Sequence, residues 1–154
     1  MASPQVFEQS IAIKASSTVV ESCLTNLELM HRWLNPALRC EPIGHWSTEL
    51  NSLSRFTIKI PVWQPSLRSV VVKREPGLIV WQFEGFFQGR DRWECQPTVT
   101  GTLLLNRFEF TIPNPLVNWG FQKFAASWTK KDMQSQLRRL KRVAEETYLL
   151  EGKV

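Results

Sequence analysis

Phe7, Gln9, Ile11 and Ile13 alternate with Glu8, Ser10, Ala12 and Lys14. This two-residue period predicts a half-buried strand over 6–14. Ala15-Ser16-Ser17 then offers a helix N-cap, and Val19, Val20, Cys23, Leu24 and Leu27 follow at helical spacing. A second short helix is expected over 26–33, stopped by Trp33-Leu34-Asn35-Pro36, because proline blocks continuation. From residue 38 the period returns to two. Six strands are predicted, at 38–46, 52–61, 67–75, 78–86, 90–96 and 101–112. Glu75-Pro76-Gly77 reads as a tight turn. Gly85 is read as the mark of a bulge or bend. Trp93 and Cys95 alternate with Arg92 and Glu94; Leu104, Asn106, Phe108, Phe110 and Ile112 alternate with Leu103, Leu105, Arg107, Glu109 and Thr111. Short turns between consecutive strands imply antiparallel hairpins.

The rest of the chain reads as one long helix, from Asn114 as N-cap and Pro115 as first residue to about Leu150. Trp119, Ala126, Met133, Leu137, Leu140, Ala144 and Tyr148 share one face. Val117, Phe121, Phe124 and Trp128 form a second apolar stripe on nearly the opposite face, ending at Thr129-Lys130-Lys131-Asp132. Two apolar sides in the first half and one in the second imply either that protein wraps the first half, or that the helix bends near 127–132. Thr129 and Asp132 would allow a restart there. The order is α+β: strand, two short helices, six antiparallel strands, long helix. Such a sheet must cover one face with the only long apolar helix available.

Composition narrows the class. At 154 residues, 43% hydrophobic and 21% charged, the chain is expected to be a single globular domain over 1–154. No apolar run approaches a membrane span, and no secretory signal is visible. Cys23, Cys40 and Cys95 are odd in number and lack CxxC spacing. They read as reduced, buried thiols of a cytoplasmic protein. Much of the net charge of +5 sits on the last helix, in Lys130, Lys131, Arg138, Arg139, Lys141 and Arg142. Lys141–Glu145 and Arg142–Glu146 partly balance it at i,i+4. It is read as a solvated face, and no nucleic acid is expected, because no recognised nucleic-acid motif accompanies the charge.

Candidate chemistry is sparse. His31 and His45 are the only histidines, and neither has a sequence-visible orienting partner for general-base work. No metal or other cofactor is expected, since two lone histidines and scattered cysteines do not make a ligand set. Nucleophile-elbow and phosphate-binding glycine motifs are absent. Arg90-Asp91-Arg92 with Glu94 is read as cross-strand ion pairing on the wet face. No catalytic residue is assigned.

Four stretches carry a resemblance. They are the opening strand 6–14 running into Ala15-Ser16; the short helix Leu27-Glu28-Leu29-Met30-His31-Arg32-Trp33-Leu34-Asn35-Pro36; the hairpin Val70–Phe86 with its Pro-Gly turn; and the long terminal helix with Leu137-Arg138-Arg139-Leu140-Lys141. Over nearly its whole length the chain resembles the START-like (Bet v 1-like, SRPBCC) superfamily, in particular its polyketide cyclase/dehydrase and lipid-transport group. The resemblance implies a helix-grip fold: a seven-stranded curved antiparallel sheet, two short helices after strand 1, and a long C-terminal helix across the concave face. It also implies a cavity for a lipid, isoprenoid or polyketide-like molecule. It carries no fixed catalytic motif.

A dry, empty cavity of about 500 Å³ would cost on the order of 12 kcal/mol, comparable to a whole domain's stability. Such a space must therefore be hydrated, occupied or filled. Seven tryptophans and nine phenylalanines argue for a narrow pocket, smaller than a sterol carrier's. The inward rows supply the expected ligand-binding walls: Phe56, Ile58, Trp81, Phe83, Leu104, Asn106 and Phe108 from the sheet, Trp119 and Ala126 from the helix. Asn106 interrupts an apolar row: it is the best polar candidate for orienting a ligand, the alternative being an amide bonded to a neighbouring strand or water, and that alternative is the preferred reading for Gln9, similarly placed on the first strand. The expected function is binding or carriage of a small hydrophobic molecule. The alternatives are a polyketide cyclase, aromatase or dehydrase, and a protein- or membrane-interaction module. The last would use Phe121, Phe124 and Trp128, which lie beside Lys123, Lys130 and Lys131.

Overall fold

A computed structural model describes residues 4–59, 64–85, 87–120 and 126–151, except the side chain of Trp128. The alternating segments form strands β1 (Gln5–Ile13), β2 (Leu38–Pro42), β3 (Leu53–Ile58), β4 (Ser66–Glu75), β5 (Leu78–Glu84), β6 (Gln88–Thr98) and β7 (Gly101–Thr111). The helices are α1 (Ser17–Thr25), α2 (Leu27–Trp33), α3 (Pro115–Gly120) and α4 (Ala126–Glu151). The strands make one seven-stranded sheet in the order β1-β7-β6-β5-β4-β3-β2, and every neighbouring pair is antiparallel. β2 to β7 are consecutive hairpins, while β1 pairs with β7 at the far edge. The α1–α2 segment must therefore cross from one edge of the curved sheet to the other, and it closes one end of the concave face.

Local chemistry accounts for the element ends. Ser16 caps α1, its Oγ accepting from the Val19 amide at 3.3 Å. Asn26 ends α1 and caps α2, its Oδ1 accepting from Leu29 N–H at 3.0 Å. Asn114 Oδ1 accepts from the amides of Leu116 and Val117 at 2.9 and 3.2 Å, capping α3 as expected. Gly77 has φ +76°, the conformation the Pro-Gly turn between β4 and β5 requires. Gly89 lies so close to β7 that a Cβ would stand 2.0 Å from Glu109 O, so no side chain fits there. The bulge falls elsewhere than Gly85: the β4–β5 register slips between Val71 and Lys73, while Gly85 sits in a bend after β5.

The core lies between the sheet and the helices. Ile13, Val20, Cys23, Leu24, Val71, Ile79 and Leu104 pack with Leu137, Leu140, Val143 and Ala144 of α4. A second, largely aromatic cluster of Leu67, Phe83, Phe110 and Ile112, joined by Phe7, Phe56, Phe87 and Phe108, fills the other end. This is the helix-grip arrangement.

The terminal helix is described in two stretches, α3 and α4; residues 121–125, between them, lie outside the described residues. α4 runs without interruption through 127–132, so no helix starts at Thr129. Asp132 instead accepts from Asn35 Nδ2 at 2.6 Å and Gln136 Nε2 at 3.1 Å. The apolar face is buried at Leu137, Leu140, Val143 and Ala144 but exposed at Tyr148. Lys141 pairs with Glu145 as expected. Glu146 pairs with Arg32 of α2 at 3.0 Å rather than with Arg142, because α2 lies against this part of α4.

Candidate functional site

Between the two clusters the sheet and helices enclose a cavity of about 510 Å³, within the range of small-molecule sites. Its floor is the concave face of β3 to β7. Met30, Trp33 and Leu34 close one side, and Thr129, Asp132, Met133 and Gln136 of the first turns of α4 form another. The helix is tied to the chain after α2 there. Gln136 Oε1 accepts from Asn35 N–H at 3.3 Å, Asn35 Nδ2 donates to Asp132, and Asn35 Oδ1 accepts from Ala37 N–H at 2.8 Å.

Phe56, Ile58, Trp81, Phe83, Asn106 and Phe108 all line this cavity, together with Gln9. Leu104 does not: it is 0% exposed, pressed under the helices in the core. It shares the inward face with Asn106, but it packs into the core cluster at the end of β7 that α1 lies against. Trp119 is 55% exposed on α3 and is not part of the wall. Ala126 is half-buried and also lies off it; among the described residues of α4 the wall begins at Thr129. Phe121 and Phe124, and the Trp128 side chain, lie outside the described residues.

Asp91 overturns the ion-pair reading of the Arg90–Glu94 segment. Among the described residues, Arg92 and Glu94 are the pair this segment forms on the outer face, at 3.1 Å. Asp91 faces inward, into the cavity. Its Oδ1 accepts from Asn106 Nδ2 at 2.7 Å and its Oδ2 from Trp93 Nε1 at 2.8 Å. Asn106 Nδ2 also donates to Arg92 O at 3.1 Å. Two acceptors therefore fix the amide's orientation and turn its Oδ1 away from them. Burial raises the Asp91 carboxyl from 3.8 to about 6; the bonds from Asn106 and Trp93 oppose that rise without cancelling it. The signal was present in the sequence: Asp91 is in phase with Trp93 and Cys95, the inward residues of β6. Ser69 is a second residue the pattern did not single out. It is 0% exposed, it lines the cavity, and its Oγ has no hydrogen-bond partner among the described residues.

His31 lies outside the cavity, exposed on α2, and its Nε2 accepts from Cys40 N–H at 3.1 Å. His45 is exposed as well. The three thiols are free and buried, and burial pushes Cys23 up to about 11 and Cys40 and Cys95 up to about 12. Among the described residues, no group of three or more His, Cys, Asp or Glu side chains is placed to hold a metal ion. No described helix is long and apolar enough to cross a membrane.

Solved structures share this architecture. The Zhui aromatase/cyclase from a Streptomyces species superposes with a TM-score of 0.74 at 11% identity, over 93% of this chain and 94% of that one. Protein CV1439 from Chromobacterium violaceum gives 0.71 at 12%, over 91% and 97%. Protein MLL2253 from Mesorhizobium loti gives 0.66 at 18%, over 93% and 98%. At these identities the likeness is one of fold. No curated protein matches the chain in sequence. A family model described as polyketide cyclase / dehydrase and lipid transport matches residues 4–145. That match takes in the whole sheet, α1, α2 and the part of α4 that borders the cavity, and by it this chain belongs to the polyketide cyclase/dehydrase and lipid transport family.

Proposed function

We propose that this protein binds a small hydrophobic molecule in the cavity between its sheet and α4, as a carrier or binding protein. One observation carries the reading: a cavity of about 510 Å³ walled by Phe, Trp, Leu and Ile, with its few polar groups gathered at defined points. Left dry and empty, a space of that order would cost on the order of 10 kcal/mol, so occupation by an apolar molecule is the economical state. Phe56, Ile58, Trp81, Phe83 and Phe108 serve as walls, and Asn106 as a polar anchor. The test is native mass spectrometry of protein purified from its own host. A co-purified small molecule that is lost when Ala37, which also lines the cavity, is enlarged by Ala37→Trp is the expected result. An unliganded mass from both proteins would sink the reading.

Asp91 supports the enzymatic alternative, a cyclase- or dehydrase-type reaction. A carboxyl raised to about 6 inside an apolar pocket is suited to taking and returning a proton near neutral pH. Turnover of a polyketide-like substrate that disappears in Asp91→Asn would favour it over simple carriage. An interaction surface is the other alternative. Leu116 and Val117 of α3 are 76% and 47% exposed beside Trp119, an apolar face of the kind that rests on lipid or a partner. Flotation with anionic liposomes should weaken in Leu116→Glu; unchanged flotation would dismiss the membrane version.

A further inference from the structure

The charged groups of the cavity have one sign. Asp91 and Asp132 line it, and no Arg, Lys or His does so among the described residues. Asp132 is already engaged by Asn35 and Gln136 at the rim. Asp91 stands deeper, on the sheet floor between Trp81 of β5 and Phe108 of β7. Each of its oxygens accepts one hydrogen bond, from Asn106 or from Trp93, and a carboxylate oxygen accommodates two. Acceptor capacity therefore remains, and it borders apolar space. Ser69 adds a buried hydroxyl without a partner among the described residues, on β4 beyond β5. An unsatisfied polar atom in a buried wall points to a missing group that pairs with it.

From this we infer that the ligand is a neutral apolar molecule carrying a hydroxyl, an alcohol or phenol, which donates its hydrogen bond to Asp91. The inference rests on the cavity being the binding site. A carboxylate or phosphate ligand would bring a second negative charge beside Asp91 with no described cation to offset it. A fully apolar ligand would leave Asp91 with its remaining lone pairs desolvated. An ammonium ligand would have to surrender its hydration to form a buried ion pair, which a hydroxyl avoids. Asn106 and Trp93 act as positioning residues: by holding one lone pair on each oxygen they aim the others at the ligand.

Three matched probes test this by calorimetric titration at pH 7.5: 2-naphthol, 2-methoxynaphthalene and 2-naphthoate. In the wild-type protein 2-naphthol should bind about tenfold or more tighter than 2-methoxynaphthalene, the advantage of one hydrogen bond to a charged acceptor. 2-Naphthoate should bind more weakly than either. In Asp91→Asn the ratio between 2-naphthol and 2-methoxynaphthalene should fall towards one. Equal binding of these two by the wild type, tighter binding of 2-naphthoate, or an unchanged ratio in Asp91→Asn overturns the hydroxyl inference while leaving the cavity as a binding site. Binding of none of the three overturns both.

Discussion

A carboxylate on a strand ordinarily faces water, and the Asp91 carboxyl instead faces an apolar cavity with only two neutral donors to hold it. Its pKa of about 6 has a consequence for stability. Below about pH 4 both folded and unfolded chains keep the proton. Between there and pH 6 the folded chain holds a proton that the unfolded chain releases, so this group's contribution falls as pH rises through the window. A rise from 3.8 to about 6 corresponds to about 3 kcal/mol. Asp91→Asn has no such titration. Its stability relative to wild type should therefore improve by up to about 3 kcal/mol between pH 4 and pH 7, as measured by urea unfolding. A constant difference across that range would place the carboxyl in water. Comparing two chains cancels other groups, among them Glu145. Partial burial would raise that carboxyl, but it is outweighed by bonds from Lys141 and the Lys14 amide, and the group ends below its ordinary range.

At the scale of elements, α4 performs two tasks along its length. Leu137, Leu140, Val143 and Ala144 press on the sheet and α1, while Thr129, Asp132, Met133 and Gln136 border the cavity. The two halves should respond differently to truncation. Leu140→Ala removes a fully buried side chain from a packed layer and should cost about 2–5 kcal/mol in chemical denaturation. Met133→Ala only enlarges an existing cavity and should cost clearly less. Equal losses would mean that the cavity is collapsed in solution. The amphipathic pattern showed which face of the helix is apolar. It did not show where packing gives way to open space, since Met133 and Leu137 look alike to a periodicity. Trp119 and Tyr148 belong to the same stripe and are exposed, because a stripe continues in sequence past the layer that covers it.

For the whole molecule the relevant quantity is the free energy of an apolar space. A ligand that binds only the folded state adds RT ln(1 + [L]/Kd), about 2.7 kcal/mol at a hundredfold excess over Kd. The cavity binder identified by mass spectrometry or by the naphthalene series should raise the unfolding midpoint by that mass-action law. It should fail to do so in Ala37→Trp, where the space is filled. A midpoint that rises equally in both proteins would place the ligand elsewhere.

Local patterning alone determined the strands, the two short helices with the cap of the first and the proline stop of the second, the antiparallel connectivity and the inward rows that include Phe56, Trp81, Phe83, Asn106 and Phe108. These follow from side-chain period and turn chemistry, which are properties of neighbouring residues. Tertiary structure decided that Leu104 is core and Asn106 is wall, though they are two residues apart on one face, because the difference is made by how far along β7 the helices pack. It also turned Asp91 from a presumed surface charge into the polar centre of the cavity. A carboxylate is tolerated inside only when distant parts of the chain, here Asn106 on the neighbouring strand and a hollow closed by two helices, supply its donors and its space.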